Sequence, residues 1–305
     1  MTRKLVSLFL CAVLLCTCVP ALGEGGLTVT DMTGREVTLD KAADRIVALT
    51  ASDVEIIYAL GAEDKLVGRG EYCDYPAEVL DKPVVKSGAE TNLEEILALE
   101  PEVVIMATMA QTVEQVEALE NAGVKVVVSD AQNLEGVYTA ITLIGQIVGK
   151  DAEAEALIKS MKDTFDGIAA KAENTGKTIY YEVSPLQWGL WASGGGTFMD
   201  EIGQICGVKN VFGDAPAWAQ ISEEDVLNAD PDYIVTTTMY YGEGPTPVEE
   251  IMGRAGWDVL KAVQNGQVFN ADTNSFTRPG PRLAEAAEAL FEFISAPAEE
   301  EAPAA

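Results

Sequence analysis

The side chains in this sequence that can do chemistry are carboxylates and aromatic rings, and no imidazole stands beside them. The 305 residues contain no histidine, which excludes a Ser/His triad, a histidine general base, a histidine-ligated zinc site and a His-ligated haem. What remains is suited to holding a molecule rather than to breaking its bonds. Aromatic residues gather beside prolines and glycines: Tyr72 and Tyr75, Trp188 and Trp191, Trp218, Tyr240 and Tyr241, and Phe276. Clefts that hold large, flat, partly apolar ligands are lined this way. About half of these rings are expected to cap the cores instead, because Trp and Tyr are largely buried on average. Tyr72 and Trp218 are the strongest cleft candidates. The glycine-rich run Ser193-Gly-Gly-Gly-Thr-Phe198 could offer N–H groups to an anion, but it lacks the spacing of a nucleotide-binding loop and reads as a tight strand-to-helix turn.

The carboxylates follow a pattern that occurs twice. Asn92-Leu-Glu-Glu-Ile-Leu-Ala-Leu-Glu-Pro-Glu-Val-Val-Ile105 and Ser222-Glu-Glu-Asp-Val-Leu-Asn-Ala-Asp-Pro-Asp-Tyr-Ile-Val235 align without a gap, which predicts two related halves. Each copy opens with a capping box, Asn92 with Glu95 and Ser222 with Asp225, that satisfies orphan N–H groups of a starting helix. Each helix is short, because Glu100-Pro101 and Asp230-Pro231 stop it and an apolar strand follows. Glu94 and Glu224 are left over. They sit in the first turn, where the helix dipole tolerates a carboxylate, and the cap does not use them. They are free to face outward, one on each half.

The elements that position these groups follow from periodicity. Residues 45–49 read as a buried strand and 54–60 as a helix ended by Gly61. Further strands are expected at 103–106, 124–128, 178–183, 233–237 and 267–270, with helices between most of them. This alternation predicts an α/β chain with parallel sheets. Residues 139–172 contain no proline and read as one or two helices. The division expected is a leader at 1–23, a lobe at 24–144, a connecting helix at 145–174, a second lobe at 175–295 and a disordered acidic tail at 296–305. A helical connection is stiff, so the lobes should rock slightly rather than close widely.

Arg3 and Lys4 precede an apolar run at 5–15 that is short for a membrane span, the pattern of a secretory signal. Cleavage after Ala21-Leu22-Gly23 and lipidation of Cys18 are both open, and either places the protein outside the cytoplasm. The formal charge is −29, and loss of Arg3 and Lys4 with the leader makes it −31. That balance opposes nucleic acid and anionic membrane surfaces. Beyond the leader lie Cys73 and Cys206, in different halves. Both are expected as free thiols, Cys206 as a small buried hydrophobe.

Taken together, several segments resemble one family. Thr28-Val-Thr-Asp-Met-Thr-Gly-Arg-Glu-Val37, Arg45-Ile-Val-Ala-Leu49, Tyr72-Cys-Asp-Tyr-Pro76, the repeated phrases, Gly207-Val-Lys-Asn-Val211 and Arg278-Pro-Gly-Pro-Arg282 are similar to the substrate-binding proteins of ABC importers for cobalamin, haem and ferric siderophores. The resemblance covers nearly all of the chain after the leader. It implies two Rossmann-like lobes joined by one long rigid helix, with the ligand in a cleft between them. It also implies that Glu94 and Glu224 dock onto arginines of a permease dimer. Tyr72 and Trp218 match positions at which cobalamin-binding members contact the corrin, and residues 274–278 match a further ligand loop. The ligand-binding set is then Tyr72, Asp74, Tyr75, Trp188, Trp191, Trp218, Tyr240, Asn274, Phe276 and Arg278. Cobalamin-binding members carry a tryptophan shortly before the first repeated phrase, where this chain has Gly88.

The resemblance implies a monomeric receptor without enzymatic activity, protein metal ligand or cofactor of its own, carrying a corrinoid such as cobalamin or cobinamide. An acidic, aromatic cleft suits a corrinoid better than a catecholate siderophore, which would need a cluster of basic groups; Arg69, Arg278 and Arg282 are the arginines near the expected cleft. Haem, held through Tyr72, Tyr240 or Tyr241, ranks second. A tetrapyrrole metal chelatase and a surface adhesion module are the readings from other classes, and both are weaker.

Overall fold

The computed structural model of the chain describes residues 26–108 and 112–296. The leader with Cys18, and the tail after residue 296, lie outside them. A hairpin of β1 (Leu27–Thr30) and β2 (Glu36–Leu39) leads into β3 (Ile46–Ala48), α1 (Ala51–Ala59), β4 (Leu66–Gly70), β5 (Val84–Val85), α2 (Leu93–Ala98), β6 (Val103–Met106), α3 (Val113–Asn121) and β7 (Lys125–Val128). The last five strands form a sheet of order β5-β4-β3-β6-β7, parallel at every pairing. β3 and β6 are buried along their whole length, which parallel strands covered on both faces require, and which makes them read as unbroken Val/Ile runs.

Two helices follow, α4 (Leu134–Val148) and α5 (Asp151–Ala169). Residues 145–148 end α4, and α5 starts at Asp151, so the stretch 145–174 is not one continuous helix. The break is at Gly149, which takes the left-handed conformation (φ 70°) while Lys150 N–H donates to the Gly145 carbonyl at 2.7 Å, a helix-ending geometry that glycine adopts at little cost. α5 packs against α4 on one side and against α6 (Phe198–Ile205) and α11 (Leu283–Ser295) on the other.

Between α5 and α11 the chain forms β8 (Thr178–Ser184), β9 (Trp191–Ser193), α6, β10 (Lys209–Asn210), β11 (Trp218–Gln220), α7 (Glu223–Ala229), β12 (Tyr233–Thr236), α8 (Pro247–Met252), α9 (Lys261–Gln264), β13 (Val268–Asn270) and α10 (Thr273–Thr277). The strands make a second sheet of order β11-β9-β8-β12-β13, with β10 also on β8. Pairings among β10, β8, β12 and β13 are parallel. The pairings β8–β9 and β9–β11 are antiparallel, because residues 185–190 join β8 to β9 by a short turn where a parallel neighbour needs a long crossover. The 193–198 run is the tight strand-to-helix turn expected.

The repeated phrases form α2–β6 and α7–β12, and in each sheet the strand of the phrase is the interior one next to an edge. In the second copy the capping box is complete, Ser222 and Asp225 bonding reciprocally. In the first, Asn92 accepts from the N–H groups of Glu94 and Glu95, but the Glu95 carboxylate turns away to the Lys86 N–H at 3.0 Å, so half of the expected box is absent. Both pre-proline residues are left-handed rather than extended, Glu100 with φ 47° and Asp230 with φ 43°. That conformation costs a non-glycine residue about 1–2 kcal/mol, and in each copy a neighbour holds it. Arg45 donates to the carbonyls of Glu100 and Leu99 at 2.8 and 2.5 Å, and Asp230 accepts from the Lys261 N–H at 2.9 Å.

One apolar cluster runs without interruption from Ile46 and Ile105 in the first sheet, through Ile141 of α4 and Phe165 of α5, to Tyr181 and Val235 in the second. Cys73 and Cys206 are both buried and free, and burial pushes each thiol up to about 12. Among the described residues no helix is long and apolar enough to cross a membrane.

Candidate functional site at the seam of the two sheets

The carboxyl ends of the two sheets face each other across a set of polar contacts. From the first sheet come α1 after β3, the loop 71–76 after β4 and the loop 129–133 after β7. From the second come the stretch 271–282 after β13, at the carboxyl end of its parallel strands, and the segments around Phe198, after the reversed strand β9, and Trp218, which opens β11. Gln132 accepts from the Phe198 N–H at 3.0 Å and, through Oε1, from Trp218 Nε1 at 3.2 Å. Glu201 accepts from the Leu134 N–H at 2.7 Å. Arg278 donates to Glu55 at 3.0 Å, to Asp74 at 2.6 Å and to the Tyr72 carbonyl at 3.2 Å. Arg282 binds both oxygens of Glu55, at 2.8 and 2.6 Å, and its guanidinium lies 4.1 Å from the centre of the Tyr75 ring. Open α/β sheets hold ligands in the crevice outside the carboxyl ends of their strands, which makes this seam the candidate site.

The aromatic residues divide around it. Tyr72 and Trp188 stand in solvent, 73% and 76% exposed. Tyr75, Trp191 and Tyr240 are partly exposed, and Trp218 is half-buried with its ring 5.7 Å from that of Phe198. Tyr240 and Tyr241 line a pocket of about 400 Å³ with Leu186, Met239, Pro245 and Glu250. Asn274 is half-buried in α10. Phe276 does not belong to this set. It is 1% exposed and packs 6.2 Å from Tyr181 in the core, because α10 turns its apolar side inward and leaves Asn274 and Thr277 at the edge. Arg278 is at the seam, but the carboxylates of Glu55 and Asp74 take up its charge.

Three residues here were not singled out by sequence reasoning. Glu55 is an acid on the buried side of an apolar helix, its side chain 2% exposed; a charge inside the run 54–60 was the available signal. Gln132 carries no such signal. Asp53 lies in the first turn of α1, beside Ser52, whose carbonyl oxygen would stand 3.7 Å from a Cβ at Gly280. It accepts a hydrogen bond from Thr50, and its other oxygen is buried without a hydrogen-bond partner.

Burial pushes the Asp53 carboxyl up from 3.8 to about 6, the Asp130 charge adding to the effect and the hydroxyls of Thr50 and Ser129 opposing it. The folded chain holds this proton more tightly than the unfolded chain. The stability it lends is complete below 3.8 and is lost as the pH rises through about 6. Asp53→Asn is therefore expected to stabilise the protein by up to roughly 3 kcal/mol at about pH 8 and to be near neutral at about pH 4. Urea titrations at the two pH values check this; an equal effect at both would remove the ionised carboxylate as the cause.

Glu94 and Glu224 are exposed in the first turns of α2 and α7. Their neighbours are engaged: Asp225 closes the cap, Glu223 accepts from Trp257 Nε1 at 3.0 Å, and Glu95 binds the Lys86 N–H.

Comparison with known proteins agrees with this arrangement. Over 276 residues, 88% of this chain and 85% of the relative, the sequence is 36% identical to an uncharacterized ABC transporter substrate-binding lipoprotein, YvrC, of Bacillus subtilis. It is 27% identical over 259 residues to the vitamin B12-binding protein of Vibrio cholerae, covering 83% of this chain and 89% of that one. A solved structure from Staphylococcus epidermidis, described as a possible iron-binding (periplasmic solute-binding) protein, superposes with a TM-score of 0.72 at 28% identity, covering 84% of this chain and all of that one. Residues 46–274 match the family described as periplasmic binding protein, and with the carboxyl ends of its two sheets opposed across a polar seam, this chain belongs to that family, as a receptor of the ABC-importer type.

Proposed function

We propose that the protein is an extracytoplasmic receptor that captures a corrinoid at the seam and delivers it to an importer in the membrane. The observation that carries this reading is the fate of the basic groups. Arg69 is buried on the carbonyls of Val79, Gly70 and Cys73, while Arg278 and Arg282 are spent on Glu55 and Asp74. A polyanionic siderophore complex would need those guanidinium groups; an uncharged macrocycle with amide arms needs rings and hydrogen-bonding groups, which Tyr72, Trp188, Trp191, Trp218 and Tyr240 with Asp74 and Asn274 supply. The similarity to a vitamin B12-binding protein supports the same ligand. No catalysis and no metal ligand from the protein is required.

Titration with cyanocobalamin and cobinamide, followed by absorbance, is expected to give saturable binding at micromolar or lower concentration. No spectral change with either would remove the corrinoid. Haem is the second reading, favoured by the exposed Tyr72, which could ligate iron, and by the similarity to the iron-binding description. A Soret shift with hemin, abolished by Tyr72→Phe, would put it first.

Delivery rests on Glu94 and Glu224 as one docking contact per half with a permease dimer, the receptor acting as a monomer. Export by the leader, with either cleavage after Gly23 or a lipid on Cys18, completes the reading. Mass spectrometry of the mature protein separates those two ends and identifies any pigment carried with it.

A further inference from the structure

The two copies of the repeated phrase are not wired alike. In the first, the residue beside Glu94 is Leu93, a half-buried apolar anchor packed on the first sheet. In the second, the residue beside Glu224 is Glu223, which accepts from the indole N–H of Trp257 at 3.0 Å. Trp257 is fully buried, and the guanidinium of Arg254 lies 4.4 Å from the centre of its ring. Arg254, its side chain 2% exposed, grips Glu182 at 2.7 and 2.8 Å and Glu250 at 2.5 and 2.9 Å. Glu182 lies near the carboxyl end of β8. Glu250 is on α8, partly exposed, and lines the pocket of about 400 Å³ beside Tyr240 and Tyr241.

The geometry points to Arg254 as a positioning residue that ties this pocket to the docking helix of the second half, making the Glu224 face responsive to occupancy while the Glu94 face is passive. The reason is physical. One guanidinium is shared between two carboxylates, so the cluster has a surplus negative charge, and burial raises the Glu182 carboxyl above its ordinary value. A ligand group that contacts Glu250 changes how strongly that acid competes for Arg254. Glu182 is fixed in the sheet, so the guanidinium and the indole stacked on it are the parts left to adjust, and Glu223 follows through its hydrogen bond. The first half has no such chain at Leu93. This inference rests on the docking role proposed above for Glu224.

A double-mutant cycle in the ligand-free protein tests the coupling directly. Glu250→Gln is expected to speed hydrogen exchange of the α7 amides by about fivefold in the wild-type background, and to have no effect on them when Glu223→Leu or Trp257→Phe is already present. The α2 amides should not respond in any variant. Equal effects of Glu250→Gln in both backgrounds, or none in either, would overturn the coupling. Arg254→Lys keeps the charge but not the fork, and should reproduce the α7 effect of Glu250→Gln. With cyanocobalamin added, exchange in α7 should slow in the wild type and not in Trp257→Phe. Absorbance recorded in the same samples shows whether the corrinoid is bound, so failure of that ligand counts against the corrinoid reading and leaves the ligand-free cycle to decide the coupling.

Discussion

Glu55→Ala is expected to lower the unfolding free energy by about 3–5 kcal/mol, because it removes the shared partner of two guanidinium groups that are themselves mostly buried. The Glu55 side chain is 2% exposed, and those of Arg278 and Arg282 are 14% and 12% exposed. Without Glu55, Arg278 keeps Asp74, and Arg282 keeps the Tyr75 ring and the more distant Asp272. The exposed Asp74 compensates weakly. The loss also loosens a loop of the proposed ligand site, since Arg278 holds the Tyr72 carbonyl. Urea unfolding measures the first effect, and a fall in corrinoid affinity together with greater salt sensitivity measures the second. A destabilisation below about 1 kcal/mol would mean that water screens these pairs as it screens surface ones. Glu55→Gln should be intermediate, because an amide retains the acceptor oxygen and loses only the charge.

Charge reversal at the proposed docking positions, Glu94 and Glu224, separates binding from delivery. Glu94→Arg and Glu224→Arg are each expected to leave ligand affinity within about twofold and to reduce uptake through the permease at least tenfold, since like charges placed opposite one another cost several kcal/mol at an interface. The double variant should bring uptake to background. Both side chains are exposed and the caps beneath them do not use them, so the fold should be unaffected. The measurement is labelled-ligand uptake into vesicles that contain the permease, with thermal unfolding as the control. Uptake unchanged in the double variant would refute the docking role.

Much of the fold was legible because its signals are local. The buried strands β3, β6 and β12 announce themselves as short Val/Ile runs, the Ser222 cap as a four-residue pattern, and the two halves as a repeated phrase. The seam was not legible for the opposite reason. Arg278 finds Glu55 across 223 residues of sequence, and no periodicity marks two charges that meet only when both sheets have formed. Phe276 was read as a cleft residue because it stands among loop residues, but the packing of α10 on Tyr181 decides which way it faces. Glu95 was read as a cap residue, and the backbone at Lys86, brought close by the preceding turn, competed for its carboxylate. β9 and β11 are three residues each, too short for an alternation that would reveal their direction.

The apolar cluster that passes from one sheet through α4 and α5 into the other limits how this receptor can be divided. A fragment cut at the Gly149 turn would present the inner faces of α4 and α5 to water, an invitation to aggregate. Sensor or reporter insertions therefore belong in solvent-facing loops such as 173–176, which leave the shared interior and the pocket beside Tyr240 whole.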